Sequence, residues 1–427
     1  MPVFSLDPEQ NEWCARLRAL AVERLRPIAE KGEPGAVNRP LIAALGELGL
    51  LERLFGTGAL ELCLLRESLA QGCTEAETAL ALQGLGAYPL VLAGTGGQRA
   101  RWLPEVRAGR AVAAFALSEP GAGSDAAALA LRAVPDGEGW LLTGEKRWIS
   151  NAPDADFYTV FARTDTGAGN RTGTGNGSST GTGNGSSTGT GARGVTAFLV
   201  PADRPGLTGT SIEMLSPHPI GALAFDAVPV TRDDVLGEVD HGFRVAMGTL
   251  NLFRPSVGAF AVGMAQAALD AALEHTAERR AFGGPLSQLQ SVAHQIAEMA
   301  TRTEAARLLV YAAATAYDTG APDVPRRSAM AKLFATETAQ YVVDAAVQLH
   351  GARALQRGHP LEHLYREVRA PRIYEGATEV QRTIIARELY RPSRQDRQQG
   401  REQDREQDRE QDREQGRERA WERGRAR

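Results

Sequence analysis

The chain has 427 residues, 43% of them hydrophobic, enough for two or three domains with sizeable cores. Its formal net charge of −4 gives no general attraction to nucleic acid or to an anionic membrane, so neither is an expected partner. Three cysteines, Cys14, Cys63 and Cys73, are too few and too scattered for a disulfide framework or a zinc site, and a reducing cytoplasm is the expected compartment.

At the start, MPVFSLDPEQNEW lacks the basic-then-apolar pattern of a signal peptide, and no uninterrupted apolar run reaches the ~18 residues of a membrane span. Residues 1–112 form an expected helical domain. In CARLRALAVERL, Leu17, Leu20, Ala21 and Leu25 make one stripe, and PLIAALGELGLLERL and ALELCLLRESLAQG continue the spacing. Over 113–230 the character changes to short, partly alternating runs separated by Gly, Pro and Asp: AAFALSE, GWLLTGEKRWIS, DFYTVFART, VTAFLVP and ALAFDAVPV. That is the strand signature. Long helical runs return over 231–392. Helices, then strands, then helices predict an α+β architecture rather than alternating βαβ units.

Two stretches stand apart. Residues 167–191 hold TGTGNGSST twice in succession and read as a flexible Gly/Thr/Ser insertion between two strands. Residues 393–427 repeat Arg-Glu-Gln-Asp with balanced charge and no apolar face, a solvated helix or a disordered tail. Neither is expected to do chemistry.

Three motifs carry candidate chemistry. LSEPGAGSD, 117–125, ends a strand in a Gly-rich turn whose free amides suit anionic or carbonyl groups. It is not the GxGxxG of a dinucleotide-binding βαβ unit, and on its own it reads equally as a tight connection. KRWISN, 146–151, puts a tryptophan and a hydroxyl at a strand end, suited to a flat aromatic ligand or else to plain core packing. RIYEGATEVQR, 372–382, places Glu375 between Tyr374 and Gly376, just before a predicted helix over 378–389 with Val380, Ile384 and Ile385 on one face. The plain alternative is an acidic residue answering the helix dipole. His359 and His363 have a metal-compatible spacing, but Pro360 lies between them and no third ligand accompanies them, so no metal is expected.

In this order and spacing, LSEPGAGSD, EKRWISN, ERRAFGGPLSQLQ, AVQLHGARA and RIYEGATEVQR resemble the acyl-CoA dehydrogenase family over roughly residues 9–391. The resemblance implies an N-terminal helical domain, a central β-domain, a C-terminal four-helix bundle and bound FAD. It also implies oxidation of acyl-CoA thioesters to trans-2-enoyl-CoA, an electron-transfer flavoprotein as acceptor, and a homotetramer or dimer. By the same resemblance Phe115, Leu117 and Ser118 line the flavin, Gly123 and Ser124 approach its pyrophosphate and the CoA chain, and Trp148 and Ser150 flank the ring system. Arg279, Phe282 and Gln290 hold the FAD pyrophosphate and adenosine, the first two reaching a neighbouring subunit's cofactor. Gln348 and Gly351 or Ala352 fall in the adenine-side turn, and Ala377 and Glu379 in the cofactor-side start of the last helix. Asn251, Arg254, Tyr374 and Gly376 border the thioester, and Glu375 is the base.

The chain departs from the family's pattern at several places. Ala377 stands where a threonine usually follows Glu-Gly, with Thr378 one place later; Asn251 replaces a frequent aspartate; and MLSPHPIGALAFDAVPV approaches its strand by a shorter path. Relatives that place the base on the helix before Arg254 have no counterpart here, since Phe253 occupies that position. A carboxylate of ordinary pKa, ~4.3, is a weak base for an α-proton, so burial is expected to raise Glu375 toward ~6–7. Two other readings remain open at this level: an oxygen-using flavoenzyme of the same superfamily, and a nucleic-acid-binding relative, which the net charge disfavours.

Overall fold

The computed structural model describes residues 6–164 and 192–390. The 167–191 insertion and the 393–427 tail lie outside them. The first segment is helical: α1 (Pro8–Leu20), α2 (Arg26–Ala29), α3 (Arg39–Glu47), α4 (Leu50–Arg53), α5 (Ala59–Gly72), α6 (Thr74–Ala93) and α7 (Gly96–Arg107). A capping box opens α1, with Gln10 N donating to Asp7 Oδ1 at 2.8 Å and Asp7 N to Gln10 Oε1 at 3.0 Å. Of the predicted stripe, Leu17, Ala21 and Leu25 are fully buried and Leu20 is half-buried.

Eight strands follow: β1 (Ala113–Ala116), β2 (Arg132–Asp136), β3 (Gly139–Ser150), β4 (Phe157–Thr164), β5 (Val195–Pro201), β6 (Leu207–Ser211), β7 (Ile220–Val230) and β8 (Val235–Leu236). They form one sheet in the order β6-β7-β3-β2-β4-β5-β8, with β1 paired in parallel to β4. The long antiparallel pair β3–β7 carries two register shifts. One falls between Arg147 and Ile149, and there Trp148 takes a φ of 58°. A bulge re-aims a side chain; here Trp148 is left 45% exposed at the sheet's end.

The last segment holds α8 (Gly242–Glu278), a short hairpin of β9 (Arg280–Ala281) and β10 (Gly284–Pro285), then α9 (Gln290–Asp318), α10 (Val324–His350), α11 (Pro360–Glu367) and α12 (Thr378–Leu389). α8, α9 and α10 pack on one another, α12 lies along α10, and α5 lies along α8. Among the described residues α8 is the one helix long and apolar enough by composition to cross a membrane, but most of that stretch is buried inside the protein. At Gly263 it comes so close to α5 that a Cβ would run into the Glu67 carbonyl oxygen.

α12 corrects its predicted face. Val380, Ile384 and Ile385 are only half-buried, whereas Thr378 and Gln381 are buried. The reason is polar: the inner side of α12 has to satisfy the carbonyls of the turn before it.

A buried ion pair ties the central segment to the last one. His218, in the loop between β6 and β7, lies 2.5 Å from Glu367 of α11 through Nε2 and Oε2. Burial alone would lower the His218 pKa, but Glu367, with Glu77 and Glu75 beyond it, raises it above 6.5. Burial would raise Glu367, but His218, His363 and Arg366 pull it below its usual value. A raised histidine contributes stability that is full below its unfolded pKa and lost as pH rises through the folded one. The thermal midpoint is therefore expected to fall as pH rises above about 7, and His218→Gln should flatten that slope. An unchanged slope in the variant, followed by calorimetry, would remove the pair from this role.

Candidate active site

Glu375 sits where a short 3-10 turn, Ala370–Arg372, hands over to α12. Its φ is 51° and that of Gly376 is 97°, two left-handed residues in a row. A non-glycine residue held there costs energy and persists only when its surroundings over-determine it. The surroundings do so. Arg254 Nε of α8 donates to the Glu375 carbonyl at 3.4 Å, and Gln381 Nε2 of α12 donates to the Glu375 and Gly376 carbonyls at 3.2 and 2.9 Å. Lys332 Nζ of α10 donates to the Gly376 carbonyl at 2.7 Å. Position 376 also needs glycine for space, because a Cβ would meet the Gln381 amide.

The carbonyls of this turn are engaged, but the Glu375 carboxylate is not. Its Oε2 is buried and has no hydrogen-bond partner. Burial raises its pKa above the usual carboxylate value, against the opposing charges of Arg66, Lys332 and Arg254. No side chain caps α12, so Glu375 is not spent on the helix terminus. Beneath the turn, Arg66 of α5 and Glu77 of α6 form a buried ion pair, 3% and 1% exposed, and Arg66 Nη1 donates to Ser256 Oγ of α8 at 2.6 Å. Arg254 also donates to Asn251 Oδ1 at 3.3 Å, which fixes its guanidinium beside the turn. Tyr374 is 37% exposed, yet desolvation of its phenol and the charge of Glu77 raise the pKa above the usual value.

A second group gathers at the end of the sheet. Leu117–Asp125 leaves β1 and is pinned from within: buried Lys146 donates to the Leu117 carbonyl at 3.0 Å and pairs with Glu119 at 2.7 Å. Glu119 also accepts from Ala130 N and Leu131 N, and Arg147 N donates to the Ser118 carbonyl at 3.0 Å. Burial lowers the Lys146 amine to about 8 even with Glu119 beside it. Phe115 packs its half-buried ring against Phe161 at 4.9 Å between centroids, and Ser150 closes β3 half-buried. The outer side of the turn is open: a Cβ at Gly121 or Gly123 would meet nothing within 4 Å, and Ser124 is exposed.

A third group lies at the other end of the bundle. Arg279 ends α8, and Phe282, 90% exposed with φ 52°, forms the hairpin tip with Gly283. Gln290 begins α9, Ala352 lies exposed in the 3-10 turn after α10, and Gln348 lines a cavity of about 330 Å³ with Ser291, Gln295, Tyr341 and Asp344. Twenty-five residues of helix separate Arg254 from Arg279, about 37 Å at 1.5 Å per residue. The third group is therefore remote from Glu375 within one chain.

Family models for the N-terminal, middle and C-terminal domains of acyl-CoA dehydrogenases match residues 7–110, 114–228 and 240–390. The chain belongs to the acyl-CoA dehydrogenase family. It is 36% identical over 400 residues to a probable acyl-CoA dehydrogenase of Mycobacterium leprae, covering 91% of this chain and 97% of that one. The solved butyryl-CoA dehydrogenase of Megasphaera elsdenii superposes with a TM-score of 0.79 at 31% identity, covering 91% and 99% of the two chains. A structure described as the FAD complex of PigA superposes equally well, at 0.79, with 25% identity and coverage of 90% and 98%.

The protein is thus a flavoenzyme of the acyl-CoA dehydrogenase type that uses FAD. Its own residues fit that cofactor. Trp148 offers an exposed indole to a flat ring, and the open Gly121–Ser124 turn leaves room for phosphate or ring atoms beside the amides of Gly121, Gly123 and Ser124, which make no hydrogen bond among the described residues. Thr378, the threonine one place late, donates instead to Glu337 Oε1 at 2.8 Å and to the Arg372 carbonyl at 3.5 Å, so its hydroxyl is already engaged within this dehydrogenase. His359 Nδ1 accepts from Leu361 N, and His363 Nε2 lies 2.7 Å from Thr74 Oγ1; both act as structural partners.

Sequence reasoning missed Arg66, Glu77, Ser256, Lys332 and the role of Gln381. The available signal was a charge inside an otherwise apolar helical run, as in CLLRESLA and AMAKLFA. Such a charge on an inward face must find a partner.

Proposed function

We propose that this dehydrogenase converts an acyl-CoA thioester to its trans-2-enoyl-CoA, with Glu375 taking the α-proton. The supporting observation is the buried, unpartnered Oε2 of Glu375 on a backbone turn held by three side chains. A dry carboxylate with a raised pKa is a stronger base, and a rigid turn keeps it aimed. As the α-proton leaves, its bonding pair forms the Cα=Cβ bond and the Cβ hydrogen departs with its electron pair. Bound FAD supplies the acceptor for that hydride.

The Glu375 amide, unengaged among the described residues, is the donor from this chain for the thioester oxygen, where negative charge develops. Arg254 and Asn251 border the same space, and Gly123 and Ser124 meet the CoA side, as the family resemblance implies. Phe115, Leu117, Ser118, Trp148 and Ser150 hold the flavin. Anaerobic mixing with a panel of acyl-CoAs should bleach the flavin and release one enoyl-CoA per FAD. Absence of bleaching with every chain length and branching pattern would overturn the reading.

The third group supports a homo-oligomer, a tetramer or a dimer, in which Arg279 and Phe282 serve a neighbouring subunit's FAD. Phe282, 90% exposed at its hairpin tip, leaves its ring free for such a contact. Phe282→Asp is expected to lower both FAD occupancy and assembly, read by light scattering and absorbance. A monomer that keeps one FAD per chain would count against it. The acceptor of the electrons is taken to be an electron-transfer flavoprotein, as the family resemblance implies; hydrogen peroxide formed at the rate of turnover in air would instead make the protein an oxidase.

A further inference from the structure

We propose that Arg66, clamped between Glu77 and Ser256, is a positioning residue that keeps Glu375 ionised in its dry recess. The inference rests on the reading of Glu375 as the base. A carboxylate taken out of water favours its protonated form, and a protonated Glu375 cannot accept an α-proton. Some fixed positive charge has to oppose this. Three cations gather around the carboxylate: Arg66 from α5, Lys332 from α10 and Arg254 from α8. Arg66 Nη1 reaches Ser256 Oγ at 2.6 Å, two residues along α8 from Arg254, whose Nε reaches the Glu375 carbonyl at 3.4 Å.

The three are not equivalent. Lys332 spends its ammonium on the Gly376 carbonyl, and Arg254 spends Nε on the Glu375 carbonyl and Nη1 on Asn251. Arg66 makes no hydrogen bond to the turn's backbone among the described residues. Its Nε goes to Glu77 and its Nη1 to Ser256, whose own Oγ is anchored on the Phe253 carbonyl at 2.7 Å. The guanidinium is 3% exposed, so solvent hardly screens it and it cannot swing away. Its Nη2 makes no hydrogen bond among the described residues, and its charge acts on Glu375 and Tyr374 as well as on Glu77. Glu77 therefore sets how much of that charge reaches Glu375. The remaining groups around the recess are Tyr374 on the same turn, Glu367 of α11, which acts on both Tyr374 and Glu77, and His218 of the β6–β7 loop, which acts on Glu77.

This arrangement predicts opposite signs for two variants. Arg66→Gln/Glu77→Gln removes both buried charges and leaves an amide pair, which folds where Arg66→Gln alone would strand Glu77. It should raise the apparent pKa of Glu375 by about one unit or more. Glu77→Gln alone should lower it, by leaving Arg66 unneutralised. Arg66→Lys, which keeps the charge, should return it close to the parent value. Two readouts are taken on the FAD-loaded protein. One is the infrared titration of the Glu375 carboxyl, assigned by its loss in Glu375→Gln. The other is the acid limb of kcat against pH, separated from KM.

Opposite shifts in both readouts establish the proposal. Shifts in the infrared titration without a matching kinetic limb would leave Arg66 in its role and remove Glu375 as the base. An unmoved carboxyl in the double variant, or a rise in Glu77→Gln, would overturn the proposal.

Discussion

Changing Glu375 to glutamine is expected to abolish flavin reduction by acyl-CoA while FAD and thioester binding persist. The amide has nearly the same size and can keep the same rotamer, but it cannot accept the α-proton. The general-base contribution is worth about 10²–10⁴ in rate, and because hydride departure depends on deprotonation the loss should reach the upper end. Binding should survive because what shapes this turn acts on backbone: Arg254, Lys332 and Gln381 hold the carbonyls of residues 375 and 376, not the carboxylate. The variant even relieves the burial of an unpartnered charge at Oε2, so its thermal midpoint should not fall. Stopped-flow absorbance decides the matter. Residual bleaching faster than about a tenth of the parent rate would exclude Glu375 as the base.

Lys146→Met should cost stability and FAD together. The Lys146 ammonium is fully buried, pairs with Glu119 at 2.7 Å and also holds the Leu117 carbonyl at 3.0 Å. Removing it leaves the Glu119 carboxylate buried with only two amide donors, those of Ala130 and Leu131. Breaking a buried pair in this way costs about 3–5 kcal/mol. The damage falls on the segment carrying Leu117, Ser118, Gly123 and Ser124, so FAD per chain should drop in parallel. Adding Glu119→Gln removes the stranded charge but keeps an acceptor oxygen for only one of the two amides, so the double variant should recover part of the loss. Denaturant titration with flavin absorbance gives both numbers. A loss under about 1 kcal/mol with full FAD content would mean that the pair is not what holds the turn.

What the amino-acid order by itself determined is local. Periodicity and Gly/Pro punctuation marked helices, then strands, then helices. RIYEGATEVQR placed a carboxylate at a loop-to-helix junction, because Gly376 and the helical run after it are properties of neighbouring residues. Composition likewise set off the 167–191 and 393–427 stretches.

Tertiary structure decided what depends on distant partners. α8 holds no uninterrupted apolar run of span length, yet its length and composition alone would pass for a membrane span, and packing against α5, α9 and α10 makes it a bundle core. The buried face of α12 is polar because carbonyls of the preceding turn need Gln381, which a hydrophobic pattern cannot announce. Arg66 meets Ser256 across 190 residues of sequence, and Glu375 feels charges brought in by α5, α8 and α10 at once. The residue proposed as base was legible because its frame is local. The charges gathered around it were not, because Coulomb energy depends on distance and burial in the folded chain rather than on position along it.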